Sequence, residues 1–257
     1  MGETGGGHAP TAGDETGGEH TPTAKGTRKA ARSHKTRIAG ITVGQSPRTD
    51  MTCDLVPRLA DTLELVEYGA LDDLTLEQVE RTLPPEPGEE VLVSRMRDGS
   101  QATFSGDKVV PLVQAKIEQA QEEGCRAIIV LCTGSFPKLE HEVPLVFPQP
   151  LLHQCARALA GGRRVAVMVP EPEQAEQARQ WWAASGVDVD VVAASPYQGI
   201  DGVSRAARSL RGHDDAFLCL DCMGFTVAMR DAARRESGLD VLLPRTLVAS
   251  VVSELLG

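Results

Sequence analysis

Cys132 and Cys222 stand 90 positions apart, each directly after a short apolar run and each followed by small residues. The runs are Arg126–Leu131 (RAIIVL) and Ala216–Asp221 (AFLCLD). Read as strands, they place both thiols where open α/β sheets bind ligands, outside the carboxyl ends of the strands. A helix start is expected after each thiol, and its partial positive charge would favour thiolate. Two thiols approaching one carbon from opposite sides can move a proton between its faces, one as base and the other as acid. That chemistry inverts a stereocentre and needs no cofactor. The bland alternative is that each cysteine is a small buried hydrophobe. That reading is assigned to Cys53, Cys125 and Cys155, which fall in or beside helical stretches. Cys219 and Cys222 form a C-x-x-C, but Cys219 lies inside the apolar run and no second pair or histidine set completes a metal site.

The turn after the first apolar run reads Gly44-Gln45-Ser46-Pro47-Arg48-Thr49-Asp50. Gly44 permits a sharp turn, Ser46 offers a hydroxyl and an N–H, and Arg48 can grip a carboxylate with two prongs. The alternative is a surface arginine beside a helix capped by Thr49 or Asp50. A third turn, Ser195-Pro196-Tyr197, places a tyrosine at another strand end. No phosphate-binding glycine motif, H-E-x-x-H or G-x-S-x-G occurs, so nucleotide, zinc-protease and serine-hydrolase readings have no support. The histidines add no motif: His8, His20 and His34 lie in the tail, and His141, His153 and His213 lack motif partners. Of Trp181 and Trp182, adjacent on one helix, one is expected to pack on the sheet and the other to be partly exposed.

These residues need a scaffold, and the chain supplies one. Short apolar runs alternate with stretches of helical period from Arg37 onward. Strands are expected at Ile38–Val43, 63–66, 91–94, 101–104, 126–131, 163–169, 187–193, 216–221 and 240–243. Helices are expected near 50–61, 75–82, 107–123, 150–160, 172–185, 201–211, 225–237 and 245–256. Asp98-Gly99 marks a hairpin between the third and fourth runs. Such alternation predicts a mostly parallel sheet covered on both faces. A Pro-rich zone from Pro137 to Pro150 suits a crossover between two halves. Residues 1–36 are rich in Gly and Thr and are expected to be disordered, with Lys25 to Arg37 a basic cluster that is either a weak docking arm or a solvated tail. The net charge is -10 over 257 residues. Nucleic acid and anionic membranes therefore have no electrostatic attraction to it. No apolar run is long enough to cross a membrane. Six cysteines are too sparse for a disulfide scaffold, and no secretory signal is seen, so the cytoplasm is the expected location.

The motifs I-T-V-G-Q-S-P-R-x-D at 41–50, S-P-Y at 195–197 and L-D-C-M-G-F at 220–225 together resemble the AroM family, and the resemblance covers about 38–256. That family is similar to the aspartate/glutamate racemase superfamily. The resemblance implies an α/β fold of two Rossmann-like parallel-sheet halves related by a pseudo-twofold axis, 37–145 carrying Cys132 and 146–257 carrying Cys222. The C-terminal helix can pack back on the first half. It implies catalytic cysteines at Cys132 and Cys222, no cofactor and no metal. It carries substrate binding to Gln45, Ser46 and Arg48, and to Thr133 and Gly134 beside the first thiol, with Ser135, Tyr197 and Gly224 in the adjoining turns. The second thiol is followed by Met223 rather than by a hydroxyl residue. The expected activity is a cofactor-independent racemase or epimerase of a small carboxylate-bearing substrate. The same residues admit a one-thiol isomerase or decarboxylase, or a carboxylate-binding protein without turnover. No nucleic-acid or membrane partner is implied, and a homodimer is allowed by analogy.

Overall fold

The strand Thr36–Thr42 is apolar on both faces, and Ile38 through Thr42 are buried. A strand with no polar face belongs in the middle of a covered sheet. In the computed structural model, which describes Met1, Gly2 and residues 35–257, it takes that place. Nearly all of the tail and its basic cluster lie outside the described residues. The elements run β1 (Thr36–Thr42), α1 (Thr49–Leu55), β2 (Leu63–Gly69), α2 (Leu76–Thr82), β3 (Val91–Arg95), β4 (Gln101–Ser105), α3 (Gly106–Glu122), β5 (Ile128–Val130), β6 (Leu145–Val146) and α4 (Pro148–Ala160). They continue β7 (Val165–Val169), α5 (Ala175–Ala184), β8 (Val189–Ala193), α6 (Ile200–Ser209), β9 (Leu218–Leu220), α7 (Val227–Ser237), β10 (Val241–Leu242) and α8 (Pro244–Leu256).

Two four-stranded parallel sheets result, ordered β2-β1-β5-β6 and β8-β7-β9-β10. Counted within each sheet, the order is the same: second, first, third, fourth strand. The fold is thus mixed α/β with two parallel sheets, as the strand–helix alternation predicts. Each thiol follows the third strand of its sheet, so Cys132 and Cys222 are topologically equivalent. β6 was not among the expected strands. It is two residues long, lies inside the Pro-rich zone, and is seen only through its register with Ile128 and Ile129.

Each sheet is covered on both faces. α3 packs Val109, Val113 and Ile117 on one face of the first sheet, and α1 and α8 cover the other with Leu55, Val248 and Val252. The second sheet has α6 and α7 on one face, and α4 and α5 on the other through Leu152, Ala156 and Trp182. The helix after the first sheet therefore covers the second, and the last helix covers the first. Both helices start with a proline two residues past their strand, at Pro148 and Pro244, where a missing N–H costs nothing. Burying a core side chain such as Ile38 or Leu55 contributes about 1.5–3 kcal/mol.

The third element of the architecture is the antiparallel β3–β4 hairpin, paired from Val91↔Ser105 to Arg95↔Gln101. Its turn uses Gly99 at φ 88°, a left-handed conformation that favours glycine. Leu92, Ala102 and Phe104 point into the first core, and Val91 and Val93 point out. Ser105 ends β4 and accepts the Lys108 N–H at the start of α3.

Candidate active site

The loops after β5 and β9 bring the two thiols to one cavity of about 610 Å³. Cys132, Cys222 and Tyr197 also line a smaller recess behind it, together with Thr133, Gly224 and Arg48. The helix starts expected after the thiols are not there. The segment after Cys132 contains no helix before β6, and α7 begins at Val227, with its first turn already capped by Thr226. Each sulfur is instead held by one backbone donor from two residues on: Gly134 N–H to Cys132 Sγ at 3.3 Å and Gly224 N–H to Cys222 Sγ at 3.3 Å. The shared signal in the chain is C-x-G, which the reading of single turns overlooked.

One N–H does not outweigh burial. Burial pushes Cys132 up to about 12, against the pull of the Gly134 N–H and with a further push from Cys222 and Glu90. Burial likewise pushes Cys222 up to about 11; the Gly224 N–H pulls it down, Asp221 pushes it up, and Arg245 and Arg48 pull it down. Both thiols are therefore protonated in the resting protein at neutral pH. Tyr197 is also held above its ordinary range, first by burial and then by the charge of Cys222. A Cβ on Gly224 would lie 2.9 Å from Pro196 Cγ and 2.9 Å from Tyr197 Oη, so glycine is what lets the tyrosine close on the second thiol loop.

The anion-binding turn after β1 is real, but its anion is internal. Asp72 accepts the Ser46 N–H at 2.7 Å, the Ser46 hydroxyl at 2.7 Å and the Gly69 N–H at 2.7 Å. Gln45 is buried and fixes the backbone: its Nε2 donates to the Leu71 and Leu74 carbonyls, and its Oε1 accepts the Arg97 N–H. Neither Gln45 nor Ser46 lines the cavity, because Asp72 and Arg97 already saturate this turn. Arg48 does reach the recess, yet its two-pronged grip goes to Asp50, with Nε to Oδ1 at 2.9 Å and Nη2 to Oδ2 at 2.9 Å. Its Nη1 donates to Thr42 Oγ1 and Ser94 Oγ. It is 3% exposed. Burial opposes the Asp50 charge, yet the Arg48 pair holds that carboxyl below its ordinary range. Asp50 is thus the partner of Arg48 and not the cap of α1, whose N-cap has no side-chain hydrogen bond. Gly44 lets the hairpin seat on this turn, since a Cβ there would lie 2.6 Å from the Arg95 carbonyl.

Of the remaining expected residues, Thr133 and Gly134 line the cavity. Ser135 does not, and its N–H instead supports the Glu90 carboxylate. Several lining residues were overlooked: Glu90, Val93 and Arg95 from the hairpin, Glu171 after β7, Trp181 on α5 and Asp221 beside Cys222. Asp221 is fixed by the buried Trp182, whose Nε1 donates to Oδ2 at 2.8 Å. The second wall is tied to the first by Arg245 of α8, fully buried, which donates to the Met223 carbonyl, the Asp50 carbonyl and Asp54 Oδ2. At the other ends of the strands, His213 Nδ1 lies 3.0 Å from Asp190 Oδ2, and Arg164 pairs with Asp215 at 2.6 Å. No helix among the described residues is long and apolar enough to cross a membrane.

The family model described as "AroM protein" matches residues 38–256. None of the curated protein sequences matches the chain. Among solved structures, the chain is similar to allantoin racemase from Klebsiella pneumoniae, with TM-score 0.60, 16% identity, and 86% of this chain and 87% of that chain covered. It is similar to the maleate isomerase Iso from Pseudomonas putida S16, with TM-score 0.57, 13% identity, and 86% and 92% covered. It is also similar to Picrophilus torridus aspartate racemase, with TM-score 0.53, 11% identity, and 84% and 94% covered. At these identities the likeness is one of fold.

Proposed function

The chain belongs to the AroM family, and from that premise we propose that it is a cofactor-independent racemase or epimerase of a small carboxylate-bearing substrate, with Cys132 and Cys222 as opposed acid and base. The observation that carries this reading is the pair of equivalent C-x-G loops presenting both sulfurs to one cavity. The similarity of fold to racemases and an isomerase supports it.

One thiolate removes the proton from the carbon next to the carboxylate, and the bonding pair passes into the carboxylate-conjugated system as an enolate. The opposite S–H then protonates the other face, leaving its own sulfur as thiolate for the reverse direction. Thr133 and the Gly134 and Gly224 loops line the path, and Arg48 favours ionisation of both thiols. The two sheets act as the two halves, each giving one thiol. All six cysteines are unpaired, the state a reducing compartment maintains, and we place the enzyme in the cytoplasm.

Solvent deuterium wash-in at the α position of candidate carboxylates tests the scheme. Cys132→Ala and Cys222→Ala should each abolish inversion, and full inversion by either variant rejects two-base catalysis. Isomerisation or decarboxylation dispensing with one thiol, or ligand binding with no exchange at all, would appear in the same experiment as distinct outcomes.

A further inference from the structure

We propose that the β3–β4 hairpin selects the substrate, and that the substrate is a monocarboxylate with a bulky apolar substituent: Arg95 takes the carboxylate, and Val91, Val93 and Trp181 enclose the apolar part. This rests on reading the cavity as the active site and adds the substrate class to it.

The carboxylate anchor follows from which donors are free. Arg48 is fully engaged within the fold. Arg95 lines the cavity with its guanidinium carbon 4.9 Å from the centre of the Tyr197 ring. Among the described residues its side chain makes no hydrogen bond or ion pair. An arginine stacked on an aromatic ring, with its planar fork of donors open to a cavity that both thiols line, is built to hold a carboxylate in two-pronged fashion.

The apolar slot follows from the hairpin's alternation. Leu92 and Ser94 face inward and are buried, as a strand on a core requires. The outward positions of such a strand are ordinarily polar. Here two of the three are Val91 and Val93, 50% and 48% exposed, the third is Arg95, and all three line the cavity. Trp181 lines the cavity from α5 while its neighbour Trp182 fills the core. The volume of about 610 Å³ lies within the roughly 300–1,000 Å³ of sites for drug-sized ligands, well beyond what a four-carbon diacid fills.

Charge argues against a second carboxylate. Arg95 shares the cavity lining with Glu90, Glu171 and Asp221. A diacid anchored at Arg95 would bring its other carboxylate toward this acidic lining, and burial already pushes the Glu90 carboxyl above its ordinary range. A neutral apolar group meets no such repulsion.

The test is calorimetric titration and deuterium wash-in on the full chain with phenylalanine, 2-phenylpropionate and 3-methyl-2-phenylbutyrate, against aspartate, glutamate and maleate. The phenyl monocarboxylates should bind at least tenfold more tightly than the diacids. Arg95→Gln should weaken them at least tenfold, Arg95→Lys less, and Trp181→Ala should weaken them while leaving propionate unchanged. Urea midpoints confirm that the variants fold. Diacids binding as tightly, no binding of any phenyl monocarboxylate, or Arg95→Gln without effect would overturn the proposal. Arg95-dependent binding with no deuterium uptake would refute the racemase reading and leave this one standing. Exchange into a diacid by Arg95→Gln at the wild-type rate would do the reverse.

Discussion

Replacing Asp221 with Asn should raise the fraction of Cys222 present as thiolate. Cys222 is pushed up to about 11, and Asp221, the residue before it, contributes to that push. At about pH 8 the thiol is then about three units below its midpoint, so roughly one molecule in a thousand carries the thiolate, a penalty of about 4 kcal/mol. Removing one adjacent negative charge lowers the midpoint by about one unit. The thiolate population at about pH 8 rises about tenfold; a base of lower midpoint is also weaker, so kcat/KM rises by less than about tenfold, and equally for both enantiomers, whose ratio is fixed by their equilibrium constant. The bond from Trp182 Nε1 survives, because the Asn carbonyl still accepts it. The sign is fixed by the chemistry: a base must lose its proton, so log kcat/KM should climb with unit slope from about pH 7 to about pH 9.5. Deuterium wash-in started separately from each enantiomer gives the two profiles. The two profiles should rise together, while Cys132 stays near 12, held mainly by its own burial. A profile flat with pH, or one that Asp221→Asn leaves in place for both enantiomers, would refute thiolate-initiated exchange.

Gly224→Ala should cost about 1–3 kcal/mol by overpacking, since its Cβ would lie 2.9 Å from both Pro196 and Tyr197; urea titration reads the stability, and wash-in should fall at least about tenfold as Tyr197 shifts from the thiol. Arg245→Met should destabilise the protein by about 1–3 kcal/mol, because it strands the Met223 carbonyl where α8 meets the first sheet, while Asp54 keeps the Val227 N–H; a urea midpoint equal to wild type would contradict this. Alkaline stability follows from the thiols. Burial pushes Cys219 well above its ordinary value in the folded chain, so above about pH 9 the unfolded chain has lost a proton that the folded chain keeps. Stability should fall by about 1.4 kcal/mol per pH unit per such thiol, and Cys219→Ala should flatten the fall measured by chemical denaturation between about pH 9 and about pH 10.5.

The alternation of apolar runs with helical stretches carried most of the scaffold, because central strands such as β1 have no polar face to confuse the pattern. β6 escaped because two residues between prolines show no period. The thiols were legible for a similar reason, since each directly follows an apolar run that could only be a buried strand. Their surroundings were not. Ser46 and Arg48 display the donors a carboxylate needs, but the sequence does not tell which donors are already taken. Asp72 and Asp50 take them, one 26 positions away and the other two. The hairpin residues stayed hidden because Val91, Leu92 and Val93 read as one apolar run until the packing of Leu92 shows which face is left outside.

The hairpin has a consequence for descent as well as for specificity. Two repeats of one strand order invite the picture of a duplicated ancestor, each copy delivering the same reactive atom. Only the earlier copy carries the antiparallel flap, inserted between its second helix and its third. Drift in that flap can retune what enters without disturbing either sulfur or the sheets beneath, so relatives with the same two loops and different flaps should part company in diet before they part company in chemistry.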